Sequence, residues 1–281
     1  MIIDREYREL CEIIEKEAGI ALSPTRTYLV ENRLAQLMLQ QHISSYEELL
    51  QKLEEGMITG LLNQIVDAVT TNETFWFRDP KVWSSLRDHL LPKMLHFAEK
   101  EGRKVRIWCA ACSTGQEPYS LSMLAHDQGW KDQLEIVATD ISSSALFSAI
   151  SGRYYFHAMR RGFIGQWERY RDHFFRDAGG GIFELEKSVR KTVVFQKMNL
   201  VDAFPPGHGP FDLVLLRNVI YYLSAMARTD VLKRTTECLR WRAALLLGET
   251  ENLSASDEGL VQEPVAGIEL IFPRRSLRSA S

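Results

Sequence analysis

The sequence predicts a small all-α domain over residues 1–75, a linking helical stretch over 76–95, and a doubly wound α/β domain over 96–281. Three observations carry this prediction. Through residue 75 the only breakers are Gly19, Gly56, Gly60 and Pro24. Between them apolar residues recur at helical spacing (Tyr7, Leu10, Ile13, Ile14; Leu29, Leu34, Leu37, Met38; Tyr46, Leu49, Leu50, Leu53), the period that builds one buried face. Beyond residue 100 the pattern changes to short continuous apolar runs separated by helical stretches, the signature of parallel strands covered on both faces.

Local signals place the elements. Ser23-Pro24, and Ser44-Ser45 ahead of Glu47-Glu48, mark helix starts, and a helical run extends from Pro80 to Lys100. The strand runs are VRIWCA at 105–110, LEIVATD at 134–140, TVVFQK at 192–197, FDLVLL at 211–216 and AALLLG at 243–248. A sheet wound this way holds ligands beyond the carboxyl ends of its strands. A small antiparallel β excursion is expected over 171–198, turning at Gly179-Gly180-Gly181, and the tail over 273–281 is expected to fray.

Composition narrows the function classes. The chain has 281 residues, 45% hydrophobic and 25% charged, which is ordinary globular usage. No run of 18 apolar residues is present and the amino terminus lacks an apolar signal core, so a cytoplasmic protein without membrane insertion is expected. Cysteines at 11, 109, 112 and 238 are too scattered for a disulfide framework. Residues 1–75 hold 6 Lys/Arg against 13 Asp/Glu, a balance of −7, and the remainder holds 28 against 24, a balance of +4. Neither part is basic enough to make nucleic acid the expected partner.

The stretch WCAACSTGQEPYSL, Trp108 to Leu121, invites a redox or metal reading through its C-x-x-C. No second C-x-x-C or histidine pair completes a zinc site, so no metal is expected; Cys109 falls inside a strand, where cysteine packs as a small hydrophobe. The residues between strand and helix are more informative. Ala110, Ala111, Ser113, Thr114 and Gly115 let backbone approach a ligand closely, and Pro118 suits the first helical turn. The single glycine is not G-x-G-x-x-G. Glu117 would repel a pyrophosphate but suit a ligand ammonium group, or else simply complement the helix dipole. Asp140, at the end of the second strand run, stands where ribose hydroxyls are held, or caps the next helix. A loop tolerant of positive charge and a ribose acid together suggest S-adenosylmethionine, which carries no phosphate. Asn199-Leu200 and Arg217-Asn218 close two further strand runs at the same edge. TTNETFWFRDP, 70–80, interleaves Asn72, Thr74 and Arg78 with Phe75, Trp76 and Phe77, either as a docked linker or as part of the site.

TTNETFWFRD, IWCAACSTGQEPYSL, ATDI, NL and LRNVIYYL, in this order and spacing, resemble the CheR-type chemotaxis receptor methyltransferases. The likeness runs over nearly the whole chain, including GIAL…ENRL in the helical part. It implies a Rossmann-like S-adenosylmethionine-dependent methyltransferase domain behind the all-α domain, and esterification of glutamate side chains on the cytoplasmic helices of chemoreceptors during chemotaxis adaptation, with S-adenosylhomocysteine as product. It also implies that Asn72, Thr74 and Arg78 fold over the cofactor, that Glu117 meets its amino group and Asp140 its ribose, and that Asn199, Leu200, Arg217 and Asn218 line the rest of the pocket. Arg217 and Tyr222 are candidates for orienting the acceptor carboxylate. RNVIYY stands where amino-group methylases carry an N-P-P-Y type motif, which argues against nucleic-acid amines.

Two departures from the family pattern stand out. Members carry a strongly basic helix facing the acidic receptor, whereas here Arg26 and Arg33 remain as the expected receptor contacts and Leu37-Met38-Leu39-Gln40 fills the stretch where further basic residues are common. The excursion around Gly179–Gly181 is short beside members that dock a tethered receptor peptide, so no tether is expected. A monomer is expected. The alternatives are a methyltransferase of the same fold acting on another protein or a small acid, and a non-catalytic cofactor-binding signalling module.

Overall fold

The computed structural model describes residues 2–23, 27–254, 257 and 259–274; Arg26, Pro24 of the expected helix start, and the tail beyond Arg274 lie outside the described residues. The amino-terminal part is four helices: α1 (Asp4–Ala18), α2 (Thr27–Gln40), α3 (Tyr46–Glu54) and α4 (Leu61–Val69). Their apolar stripes converge on one core containing Leu10, Ile14, Leu34, Leu49 and Ile65. The serine-glutamate signal at 44–48 acts as read, with Ser45 Oγ accepting from Glu48 N at 3.1 Å and Glu48 Oε2 accepting from Ser44 N at 2.8 Å. Among the described residues no helix is long and apolar enough to cross a membrane.

The run from Pro80 to Lys100 is helical but not uniform: α5 (Pro80–Ser85) passes through a π turn (Leu86–Leu90) into α6 (Leu91–Lys100). Pro92 brings no N–H to the ladder, and the turn ahead of it widens.

The second part is built on a seven-stranded sheet. Its strands are β1 (Val105–Ala110), β2 (Leu134–Asp140), β6 (Val193–Lys197), β7 (Phe211–Leu216), β8 (Leu239–Leu247), β9 (Leu260–Val265) and β10 (Ile268–Pro273), in the spatial order β6-β2-β1-β7-β8-β10-β9. The first five are parallel. Alternate residues serve opposite cores, as two-sided cover demands: Ile107, Cys109, Leu213 and Leu215 face one, Trp108, Ala110, Val214 and Leu216 the other. Packed around the sheet are α7 (Gln116–Asp127), α8 (Ser143–Ser151) and α12 (Ala225–Glu237), each following a parallel strand.

The closing hairpin β9–β10 is antiparallel and did not register among the sequence runs. Pro264 and Pro273 interrupt its apolar pattern, and its turn, Ala266-Gly267, has φ of 52° and 81°, the doubly positive geometry of a tight hairpin turn. The small antiparallel sheet comprises β3 (Arg153–Tyr155), β4 (Phe175–Asp177) and β5 (Ile182–Leu185), with short helices α9 (Phe156–Met159), α10 (Glu168–Phe174) and α11 (Lys187–Arg190) around it. The turn does fall at Gly179–Gly181. However, β3 lies ahead of the expected excursion over 171–198, and β6, inside that range, is the edge of the large sheet.

Candidate active site

Strand order reverses direction between β1 and β7, so the crevice at their carboxyl ends is the natural ligand position. A cavity partly open to solvent, about 1410 Å³ with the solvent space at its mouth included, occupies that place. Asn72, Thr74, Arg78, Glu117, Asp140, Asn199, Leu200, Arg217, Asn218, Tyr222 and Arg33 all line it. Arg26 is the one predicted site residue outside the described residues.

The floor is the turn after β1. Ala111, Ser113 and Gly115 all take positive φ, 58°, 51° and 89°. A Cβ on Gly115 would meet the Ala149 Cβ at 2.8 Å, so glycine here allows α7 to start against α8. Phe77, Asp79 and Asn218 also have positive φ, at 45°, 61° and 61°. Such non-glycine geometry costs on the order of 1–3 kcal/mol per residue and clusters where a site needs it.

Asp140 is buried at the end of β2. Its Oδ2 accepts from Ser113 N at 2.6 Å and its Oδ1 from Ser142 N at 2.9 Å. It therefore both steadies the floor loop and caps the entry to α8, whose own N-cap oxygen is Ser142 Oγ, 3.0 Å from Ala145 N. Burial raises the Asp140 carboxyl above the ordinary carboxylate range, against the lowering pull of those N–H groups.

Glu117, on the first turn of α7, accepts from Arg217 Nη1 on Oε2 at 2.8 Å, and Oε1 accepts no hydrogen bond from a described residue. Burial raises its carboxyl too, with the Arg217 charge pulling the other way. Arg217 itself is pinned. Its side chain is 1% exposed, and Nη2 bonds the Asp79 carboxylate and the Arg78 carbonyl. Three of its five N–H groups are thus spent on the protein, while the second Nη1 proton and Nε make no hydrogen bond among the described residues. Its contacts make it the holder of Glu117.

Arg78 is different. Its guanidinium lies 5.0 Å from the Phe75 ring, whose surroundings also include Arg161 at 4.7 Å, and no acid of the described residues is within ion-pair distance of it. The segment carrying it is fixed by its aromatics: Trp76 packs on Phe163 at 5.2 Å, Phe77 on Trp167 at 4.6 Å, and Trp76 Nε1 donates to the Ala158 carbonyl at 3.1 Å. Asn72 joins the floor through its carbonyl, which accepts from Ser113 Oγ at 3.0 Å. Docked linker and site wall are therefore the same segment.

Asn199 borders the cavity with its amide engaged by the protein. Nδ2 donates to the Glu17 carbonyl at 2.7 Å and Oδ1 accepts from Val201 N at 3.3 Å, so the side chain clasps the end of α1. Leu200 lies beside it as a buried apolar wall. Arg33 bonds the Val69 carbonyl and Thr71 Oγ1, at 3.1 Å for the latter, so the expected receptor contact is already engaged by the linker. Tyr222 is half-buried, and its hydroxyl accepts from Tyr221 at 3.2 Å. Ala21 N donates to the Tyr222 carbonyl at 2.8 Å and Ser224 N to the Gly19 carbonyl at 2.8 Å, stitching the α1–α2 connection beside the cavity.

Sequence reading missed Asp79, the partner of Arg217, and the cavity wall from the helical domain, Ile20, Leu22, Leu29 and Val30. Asp79-Pro80 looks like ordinary helix-start chemistry, and nothing in the apolar spacing of α2 separates cavity-facing from core residues. Cys109 and Cys112 are buried and reduced, with thiols pushed up by burial. Among the described residues no group of three or more His, Cys, Asp and Glu could hold a metal ion.

The donor set fits a cationic, phosphate-free nucleoside ligand: two buried carboxylates, one with a vacant acceptor, beside apolar walls. Two family models match the chain. The one described as "CheR methyltransferase, SAM binding domain" covers residues 72–265, and "CheR methyltransferase, all-alpha domain" covers 5–70. Among the relatives, Chemotaxis protein methyltransferase Cher2 of Pseudomonas putida is 38% identical over 256 residues, 89% of this chain and 90% of that protein. Chemotaxis protein methyltransferase 1 of Pseudomonas aeruginosa is 42% identical over 249 residues, 86% and 88% of the two chains. Chemotaxis protein methyltransferase 1 of Vibrio cholerae is 38% identical over 258 residues, 90% and 91% of the two. The chain is a methyltransferase with a Rossmann-like, S-adenosylmethionine-binding domain, and it belongs to the CheR methyltransferase family.

Proposed function

We propose that the enzyme methylates glutamate side chains on the cytoplasmic helices of chemoreceptors, acting as a cytoplasmic monomer. The observation that carries this reading is the pairing, in one cavity, of Glu117 with its vacant Oε1 and Arg78, whose charge acts on Glu117 yet which makes no direct ion pair among the described residues. In this reading Glu117 takes the cofactor ammonium group, Asp140 the ribose hydroxyls, and Asn72, Thr74 and Asn218 enclose the remainder, with Asn199 and Leu200 completing the wall.

Bound S-adenosylmethionine supplies an electrophilic methyl group on a cationic sulfur and leaves as S-adenosylhomocysteine. A glutamate acceptor, with a pKa of about 4.3, is already ionised at neutral pH, so the protein needs no general base. Its contribution is to align the carboxylate in line and to strip water from it. Arg78 anchors the acceptor carboxylate, Tyr222 orients it through a hydroxyl proton not used by Tyr221, and Arg217 keeps Glu117 in place. Arg26 and Arg33 remain the receptor contacts that the family resemblance implies, and no tethered receptor peptide is required.

Incubation with methyl-labelled cofactor and receptor-rich membranes tests the reading. Label released by base as methanol is expected, as a carboxyl ester requires; base-stable label, or cofactor binding with no transfer, would overturn it.

A further inference from the structure

Glu251 is outside every motif read from the sequence, and it does not line the cofactor cavity. It sits in the turn after β8 and is only 6% exposed. Its carboxylate accepts three backbone N–H groups. Asn218 N and Gly248 N donate to Oε2 at 2.6 and 2.8 Å, and Ile220 N donates to Oε1 at 2.8 Å. Two of the three come from the loop after β7, which carries Asn218 and continues into a short 3-10 turn, Ile220–Tyr222. Asn218 stands at a φ of 61°, a left-handed conformation that needs support from its surroundings.

Gly248 gives an independent view of the same lock. A Cβ there would lie 2.5 Å from Asn218 Nδ2 and 2.9 Å from Glu251 Oε2, so the missing side chain is what lets the Asn218 amide and the carboxylate close on β8. The neighbouring acid, Glu249, is exposed and makes no comparable contact.

We propose that Glu251 is a positioning residue for methyl transfer, setting Asn218 and Tyr222 against the cavity without touching either reactant. The two oxygens divide the task. Oε2 fixes the Asn218 end, on the cofactor side, and Oε1 fixes the turn that ends in Tyr222, on the acceptor side. This rests on the reading of Asn218 as a cofactor contact and Tyr222 as an acceptor contact.

Glu251→Gln and Glu251→Ala separate the two tasks, measured by calorimetric cofactor Kd, by kcat for labelled transfer, and by melting temperature. In E251Q the amide oxygen serves Asn218 and Gly248, and the amide nitrogen is left donor-to-donor against Ile220 N–H. A buried donor stripped of its partner predicts a fall in kcat of about tenfold, with cofactor Kd within about threefold of wild type. E251A releases both ends, so Kd is expected to rise about tenfold while kcat also falls. Gly248→Ala keeps the carboxyl group but crowds Asn218 and Glu251 Oε2 together, and is expected to reproduce the Kd effect, which covers the case in which E251A does not fold. Variants that melt earlier but keep kcat and Kd within about twofold would overturn the inference, since a merely structural acid moves only stability. Equal losses of kcat and Kd in E251Q would overturn the division between the oxygens. Tyr222→Phe and Asn218→Ala serve as controls. If neither impairs the enzyme, the underlying site reading fails; if both do and the Glu251 variants do not, only this inference fails.

Discussion

Replacing Glu117 by glutamine isolates charge from shape. Gln keeps an oxygen for Arg217 Nη1, now 2.8 Å from Glu117 Oε2, and Asp79 continues to neutralise that guanidinium. Losing the ion pair is offset by no longer burying a carboxylate, so folding stability is expected to move by about 1 kcal/mol or less. Cofactor binding has no such offset. A unit charge pair at about 4 Å gains about 4 kcal/mol at an effective dielectric of about 20, and hydration of the freed ammonium group returns part of it. The net worth of a hydrogen bond to a charged group, about 1.5–3 kcal/mol, translates into binding about 10- to 150-fold weaker.

The same variant has a pH signature. The cofactor cation is bound by ionised Glu117, whose pKa burial raises, so wild-type affinity falls as pH falls through that raised value. The fall begins at higher pH than for an exposed carboxylate. In Glu117→Gln it is shallower, the remainder coming from Asp140, which burial also raises. Titration calorimetry with S-adenosylmethionine, at neutral pH and stepwise below, reads both effects, and a thermal scan checks the fold. A variant Kd within about threefold of wild type would refute the assignment of Glu117 to the ammonium group, since even the weakest charged hydrogen bond exceeds that.

Asp140→Asn places an amide nitrogen against the N–H of Ser113 or Ser142, so cofactor affinity is expected to drop about tenfold and stability by about 1–3 kcal/mol, read by calorimetry and thermal melting. Replacing both Cys109 and Cys112 by alanine is expected to cost about 1 kcal/mol of core stability each and to leave cofactor Kd within about threefold, although Cys112 borders the cavity; a lost affinity would give a thiol a part in cofactor binding. Gly162→Ala should cost about 3 kcal/mol or more, because its Cβ would sit 1.6 Å from the Trp76 carbonyl oxygen at a φ of 94°. Soluble yield and melting temperature test it, and an unchanged melting point would contradict the docking of the 70–80 segment.

The parallel strands were legible because burial on both faces imposes a composition, and VRIWCA, LEIVATD and FDLVLL coincide with β1, β2 and β7. The hairpin β9–β10 was not, since the edge strand β9 tolerates the Pro264 and Glu263 that erase its pattern and β10 ends at Pro273. At the site, single residues were legible where chemistry restricts the choice, as with Glu117 and Asp140. Pairings were not: that Arg217 bonds Glu117, Asp79 and the Arg78 carbonyl depends on residues a hundred or more positions apart. Asn199 shows the same gap, its amide drawn to the Glu17 carbonyl by a packing that no local pattern encodes.

The stitch of Gly19 and Ala21 to Tyr222 and Ser224, with Leu29 and Val30 opposite Leu200, has a practical consequence for dissection of the chain. A fragment beginning after the fourth helix would retain every acid of the pocket yet present its apolar side to water, turning a partly closed cavity into an open trough. The amino-terminal helices thus supply part of the wall of the site, and a domain swapped in from elsewhere would have to reproduce that inner lining before its outer surface could matter.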